Sequence, residues 1–132
     1  MERKTCELQV ILKTKNLCSL IFKATANSPK KFRFSLVSRL QNYSLSALEN
    51  LYHSNEIFMK NSSKTALEKR ISLQRKAFSQ LNILTFFIQL SYEQKCILKK
   101  EYLSITNQIF ECKKLINAWI RSERRKNSEN NS

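Results

Sequence analysis

A chain of 132 residues with 24 lysines and arginines against 10 acids, all of them glutamate, carries a formal charge of +14 and a pI near 9.9. A surplus of that size makes nucleic acid the first partner to consider, ahead of an anionic membrane surface or a basic protein that merely stays soluble. There is no glycine and one proline, which argues against hairpin-rich folds and excludes Walker or Rossmann phosphate loops.

From about Thr5 to Ala26 the apolar residues Val10, Ile11, Leu17, Cys18, Ile21 and Phe22 recur near one face, at a helical period. Asn27-Ser28-Pro29 breaks this first helix, because a residue before proline avoids the α region. Ser28 is placed to cap the next helix, with Pro29 at its first position. The second helix is expected over 29–60, with Leu36, Val37, Leu40, Ser44, Ala47, Leu48 and Leu51 inward. The small residues Ser44 and Ala47 let a neighbour approach. Its start carries Lys30, Lys31, Arg33 and then Arg39. Cations at a helix N-terminus oppose the macrodipole, and such conflicts between local sequence and fold tend to mark functional surfaces.

A loop at Asn61-Ser62-Ser63, with Ser63 as cap, leads to a third helix over 63–95. Leu67, Ile71, Phe78, Leu81 and Ile88 line one face and Ala77, Leu84, Phe87 and Leu90 a second, with Lys69 and Lys76 opposite the first. Ser91-Tyr92-Glu93-Gln94 resembles a capping box near the following reversal.

The fourth helix, over 98–124, has the most regular pattern. Leu98, Tyr102, Ile105, Ile109, Cys112, Ile116 and Trp119 form an apolar seam in alternating steps of four and three. Lys100, Asn107, Lys114 and Arg121 lie seven apart, away from the seam, as a mostly basic stripe. Leu103 and Phe110 add a short second apolar strip, which reads either as a wide core face or as a subunit or partner contact. Beyond Ile120, the cluster Arg121, Glu123, Arg124, Arg125 and Lys126 suits a helix C-terminus electrostatically and equally suits nucleic acid. The polar tail, 127–132, is expected to be disordered.

These segments predict an all-α protein: one domain over 1–126, an antiparallel up-down-up-down four-helix bundle. Chemistry is sparse. Cys6, Cys18, Cys96 and Cys112 form no C-x-x-C pair, so buried reduced thiols are expected and no metal site. With His53 alone and no aspartate, a Ser-His-Asp triad is ruled out, and neither an enzyme nor a cofactor nor a small-molecule substrate is expected. The N-terminus lacks a signal-peptide pattern and no apolar run is long enough to cross a membrane, so a cytoplasmic location and no membrane partner are expected. The residues favoured for polyanion contact are Lys30, Lys31, Arg33, Lys69, Arg70, Arg75, Lys76, Lys100, Lys114, Arg121, Arg124 and Arg125.

The stretch Ser28-Pro29-Lys30-Lys31-Phe32-Arg33-Phe34-Ser35-Leu36-Val37-Ser38-Arg39-Leu40 resembles the opening of the second helix in the accessory variability determinant of diversity-generating retroelements. Ile109 to Ile120, ending on Trp119 before a basic tail, is similar to that family's closing helix. The wider kin are four-helix proteins encoded in ribosomal-RNA intervening sequences. The chain departs from the pattern with Asn117-Ala118 where a glycine commonly precedes the tryptophan, and with Leu98 where a serine or threonine cap is usual. The resemblance implies a homopentameric barrel of four-helix bundles with a basic surface. It also implies partners: the element's reverse transcriptase and RNA or DNA, in support of mutagenic cDNA synthesis. A rival expectation is a basic helical scaffold that binds an acidic protein or a structured RNA outside any retroelement.

Overall fold

In the computed structural model, residues 2–57 and 64–131 are described, with the side chains of 7–57, 64–126 and 128. All regular structure among them is helical: α1 (Glu2–Thr25), α2 (Ser38–Glu56), α3 (Lys64–Glu93) and α4 (Lys99–Asn131). The four helices pack together. The main contacts join α1 to α2 and α4, and α3 to α2 and α4.

The apolar seams meet in one core. Val10, Leu17 and Ile21 of α1, Leu40, Ala47 and Leu51 of α2, Leu81, Leu84 and Ile88 of α3, and Ile105, Ile109, Cys112, Ile116 and Trp119 of α4 are all buried. Thr14 and Thr25 occupy seam positions of α1 and satisfy their buried hydroxyls locally, donating to the carbonyls of Val10 and Ile21 at 2.8 Å each. Ser44 and Ala47 are fully buried, as the small inner face of α2 requires. Between α3 and α4, Tyr92 stacks on Tyr102 with ring centroids 4.8 Å apart, and the Lys113 ammonium lies 5.4 Å from the Phe78 ring centre.

The entry to α2 differs from expectation. Lys30–Phe32 forms a single 3₁₀ turn and Arg33–Val37 a π turn before the α-helix begins at Ser38. The cause lies in the inward residues. Phe32, Leu36, Leu40 and Ser44 follow one another at intervals of four. In an α-helix each four-residue step overshoots a full turn by roughly 40°, so three steps would swing Phe32 well away from the core. A wider turn absorbs the drift. Ser28 does not cap this helix: its hydroxyl donates to the Cys96 carbonyl at 2.7 Å, tying the α1–α2 link to the α3–α4 turn.

That turn also departs from expectation. Ser91 lies inside α3 and donates to the Phe87 carbonyl at 2.6 Å, so no capping box forms at Ser91. The helix instead ends with the Cys96 amide bonded to the Ser91 carbonyl at 2.7 Å and the Lys95 amide to the Tyr92 carbonyl at 3.0 Å, with Lys95 at φ 63°. This is a Schellman closure. A glycine-free chain must give the left-handed position to another residue, here a lysine. At the start of α4 the Leu98 amide donates to Glu101 Oε1 at 2.9 Å. One half of a capping box is therefore present, and the usual hydroxyl is replaced by Leu98. α4 then continues as a helix through Asn131, where the composition predicts a disordered tail. The second helix ends at Glu56, with Ile57 extended at φ -71° and ψ 119°, short of the expected end at Lys60; Lys60 itself and the Ser63 cap fall outside the described residues.

Candidate functional site

Arg70 is a correction to the expected basic surface. It is 3% exposed, at a seam position of α3, and so is not available to a polyanion. Its Nε donates to Glu123 Oε1 at 2.9 Å and Oε2 at 3.2 Å, and Nη2 also donates to Oε1 of the same carboxylate. Nη2 reaches Glu7 Oε1 at 3.0 Å, and Nη1 reaches the carbonyls of Ser54 at 3.1 Å and Ile57 at 2.8 Å. Gln74 Nε2 donates to the Ser54 hydroxyl at 2.9 Å and to Glu123 Oε2 at 3.3 Å, and the guanidinium lies 5.7 Å from the Trp119 ring centre. All four helices contribute to this cluster. Burying one of its charges without the others would be costly, so the group is a structural tie. The sequence carries a signal for it: Glu123 falls four residues after Trp119, on the continuation of the α4 seam.

The other eleven expected contact residues are all exposed and are spread over several elements. Lys30, Lys31 and Arg33 lie on the 3₁₀ and π turns at the entry to α2. The Ser28–Cys96 hydrogen bond brings the α3–α4 turn to the same end of the molecule, where Lys95, Lys99 and Lys100 are also exposed. Arg75 and Arg121 meet elsewhere: with Phe78, Asn117 and Ile120 they line a groove of about 310 Å³ between α3 and α4. Lys69 and Lys76 are exposed on α3, and Lys114, Arg124 and Arg125 on α4. The Lys114 ammonium lies 5.6 Å from the ring centre of Phe110.

Little of this charge is neutralised among the residues with described side chains. Among the residues with described side chains, Arg70 is the only lysine or arginine in an ion pair. His53 contacts Glu56 at 3.0 Å on the exposed surface of α2. A further signal in the composition accounts for part of the imbalance: no acid stands between Glu7 and Glu49, while Lys13, Lys15, Lys23, Lys30, Lys31, Arg33 and Arg39 do.

Leu103 and Phe110, the expected subunit contacts, are 55% and 58% exposed, so they are not a wide core face. The thiols of Cys18, Cys96 and Cys112 are free and buried, and burial raises the pKa of each, that of Cys112 to about 11. The Cys6 side chain lies outside the described residues. No group of histidine, cysteine and glutamate able to hold a metal ion is found among the described residues, and no helix among them is long and apolar enough to cross a membrane.

Compared with known proteins, the chain matches no protein-family model and no curated protein.

Proposed function

We propose that this protein is a non-catalytic nucleic-acid-binding bundle, an accessory to a reverse transcriptase of the kind found in diversity-generating retroelements, acting in the cytoplasm. The observation that carries the reading is the surplus charge: a net +14 with Arg70 alone, of the lysines and arginines with described side chains, engaged in ion pairs. Lysines and arginines held this way neutralise phosphates and release counterions, which gives sequence-indifferent, salt-sensitive binding. The Arg75–Arg121 groove offers two guanidiniums to one stretch of backbone. The pairing of Tyr92 with Tyr102 near one end and of Arg70 with Glu123 near the other supports an antiparallel α3 and α4, as an up-down-up-down course requires. The exposed Leu103 and Phe110 support self-assembly, with a homopentameric barrel as the form that the resemblance to the retroelement accessory family implies.

The test is a salt titration of RNA and DNA binding by fluorescence anisotropy. The logarithm of affinity is expected to fall linearly with that of salt concentration. Replacing Lys114 and Arg121 by glutamate is expected to weaken binding and to reduce the slope by about one for each phosphate no longer neutralised. Undetectable binding at low salt would overturn the reading and leave a scaffold for an acidic protein partner. A reverse-transcriptase reading frame with a template and variable repeat beside the gene is the observation that would tie the protein to a retroelement.

A further inference from the structure

Phe34 is 90% exposed, more than any other large apolar side chain described. Its position follows from the distorted entry to α2. The π turn keeps Leu36 buried and Val37 against the core, the preceding 3₁₀ turn does the same for Phe32, and Phe34, two residues from both Phe32 and Leu36, is left pointing into solvent. Packing therefore explains the turn but gives Phe34 nothing to pack on. A bare phenyl ring on a rigid turn gains nothing from water.

The surroundings specify what would cover it. Lys30, Lys31, Arg33 and Arg39 are exposed within five residues on either side, and Lys23 is exposed in the last turn of α1. The adjoining α3–α4 turn adds Lys95, Lys99 and Lys100. Of the acids near that turn, Glu101 is engaged with the Leu98 amide, and Glu93 lies within hydrogen-bonding distance of Gln89 at 3.5 Å. The complementary partner is a polyanion that also presents a flat apolar face. An unpaired nucleic-acid strand has both, because its bases are free to stack on an aromatic ring while its phosphates meet the cations. A duplex hides its base faces and shows only edges and backbone. An anionic membrane fits less well, since binding at that surface scales with the apolar area inserted, and Phe32 and Val37 on either side are already committed to the core.

We infer that Phe34 is a base-stacking contact for single-stranded nucleic acid, with Lys30, Lys31 and Arg33 holding the adjoining phosphates. This inference rests on the nucleic-acid reading above and assigns it a strand preference. Because a phenyl ring makes no hydrogen bond to a base edge, the contact is indifferent to sequence.

The experiment compares the full-length protein with Phe34→Ala and Phe34→Trp on three ligands of equal length: a single-stranded oligonucleotide, its duplex, and an abasic strand. Phe34→Ala is expected to weaken single-strand binding by roughly 5- to 100-fold and to leave duplex and abasic binding within about twofold of the parent. Phe34→Trp should retain single-strand affinity, and its added indole emission should be quenched by the single strand and not by the abasic one. Equal losses on all three ligands, or no loss on any, would overturn the inference without touching the parent protein's own binding of nucleic acid. Absence of binding by the parent protein would instead remove the nucleic-acid reading itself. Sedimentation mass and flotation with phosphatidylserine vesicles complete the test. A lower mass for Phe34→Ala would assign the ring to a second copy of the chain, and a loss of vesicle binding with single-strand affinity unchanged would assign it to a lipid surface. Either result overturns the inference.

Discussion

Arg70 stands between Lys69 and Ile71, and its neighbours describe its surroundings poorly. Lys69 is exposed, Ile71 is buried, and Arg70 itself is 3% exposed and held by Glu123 and Glu7. Replacing Arg70 by methionine leaves Glu123 in the interior without its guanidinium, and is expected to destabilise the fold by about 3–5 kcal/mol in urea denaturation. Replacing Glu123 by methionine as well is expected to recover part of that loss, since the buried carboxylate that Arg70 held is then gone. Cys112 makes a different prediction. Burial raises its thiol pKa from 9.0 to about 11, so folding favours the neutral form. As pH rises past about 9 the unfolded chain loses that proton first and binds fewer protons than the folded chain, and stability falls. The contribution is complete below about pH 9 and is lost by about pH 11, with a ceiling of ~3 kcal/mol at about 1.4 kcal/mol per unit. Urea midpoints measured from pH 8 to 11 should decline less steeply for Cys112→Ala than for the parent.

At the scale of the element, the α3–α4 turn carries the clearest local cost. Lys95 takes a left-handed conformation that costs an L-residue roughly 1–2 kcal/mol. Lys95→Gly removes that cost but adds freedom to the unfolded chain, and a net gain of about 0.5–1 kcal/mol is expected in thermal melts. The helices differ in how much of their structure is legible in the sequence. The α4 seam from Ile105 to Trp119 is fully so, because strict three- and four-residue spacing admits one face only. The π turn of Arg33–Val37 is not. Its cause is the four-residue spacing of Phe32, Leu36, Leu40 and Ser44, which becomes a constraint only once the core fixes where those residues must point. Ser28 reads as a cap from its place before Pro29, whereas its partner is Cys96, 68 positions away. Nothing in the local sequence encodes such a partner. Of the twelve basic residues picked from the sequence, eleven are exposed. Arg70 is the exception because polarity is a poor guide to exposure where the helical period points a residue inward.

The whole molecule has cations at the turn joining α1 to α2 and the turn joining α3 to α4, a two-arginine groove between α3 and α4, and apolar Leu103 and Phe110 standing out from α4. If those two side chains hold copies together, replacing both by glutamate should lower the sedimentation mass while leaving the helical circular dichroism and the melting midpoint of the dissociated form nearly unchanged. A parent protein that is already monomeric at tens of micromolar would remove the assembly.

The knot of polar atoms around Arg70 bears on which way round the four rods close. Greasy stripes alone would tolerate a clockwise or a counter-clockwise order, because each rod offers its neighbours much the same oil. A carboxylate from α1, two carbonyls from the end of α2 and its exit, a guanidinium from α3 and a carboxylate from α4 converge at one point. In the opposite winding each group would approach its partners from another side, and any of these bonds that could not re-form would leave a buried charge stranded. The doubly methionine-substituted protein is therefore the one in which amide resonances should multiply if the two windings become comparable in free energy, and a single sharp set would show that the oil chooses unaided.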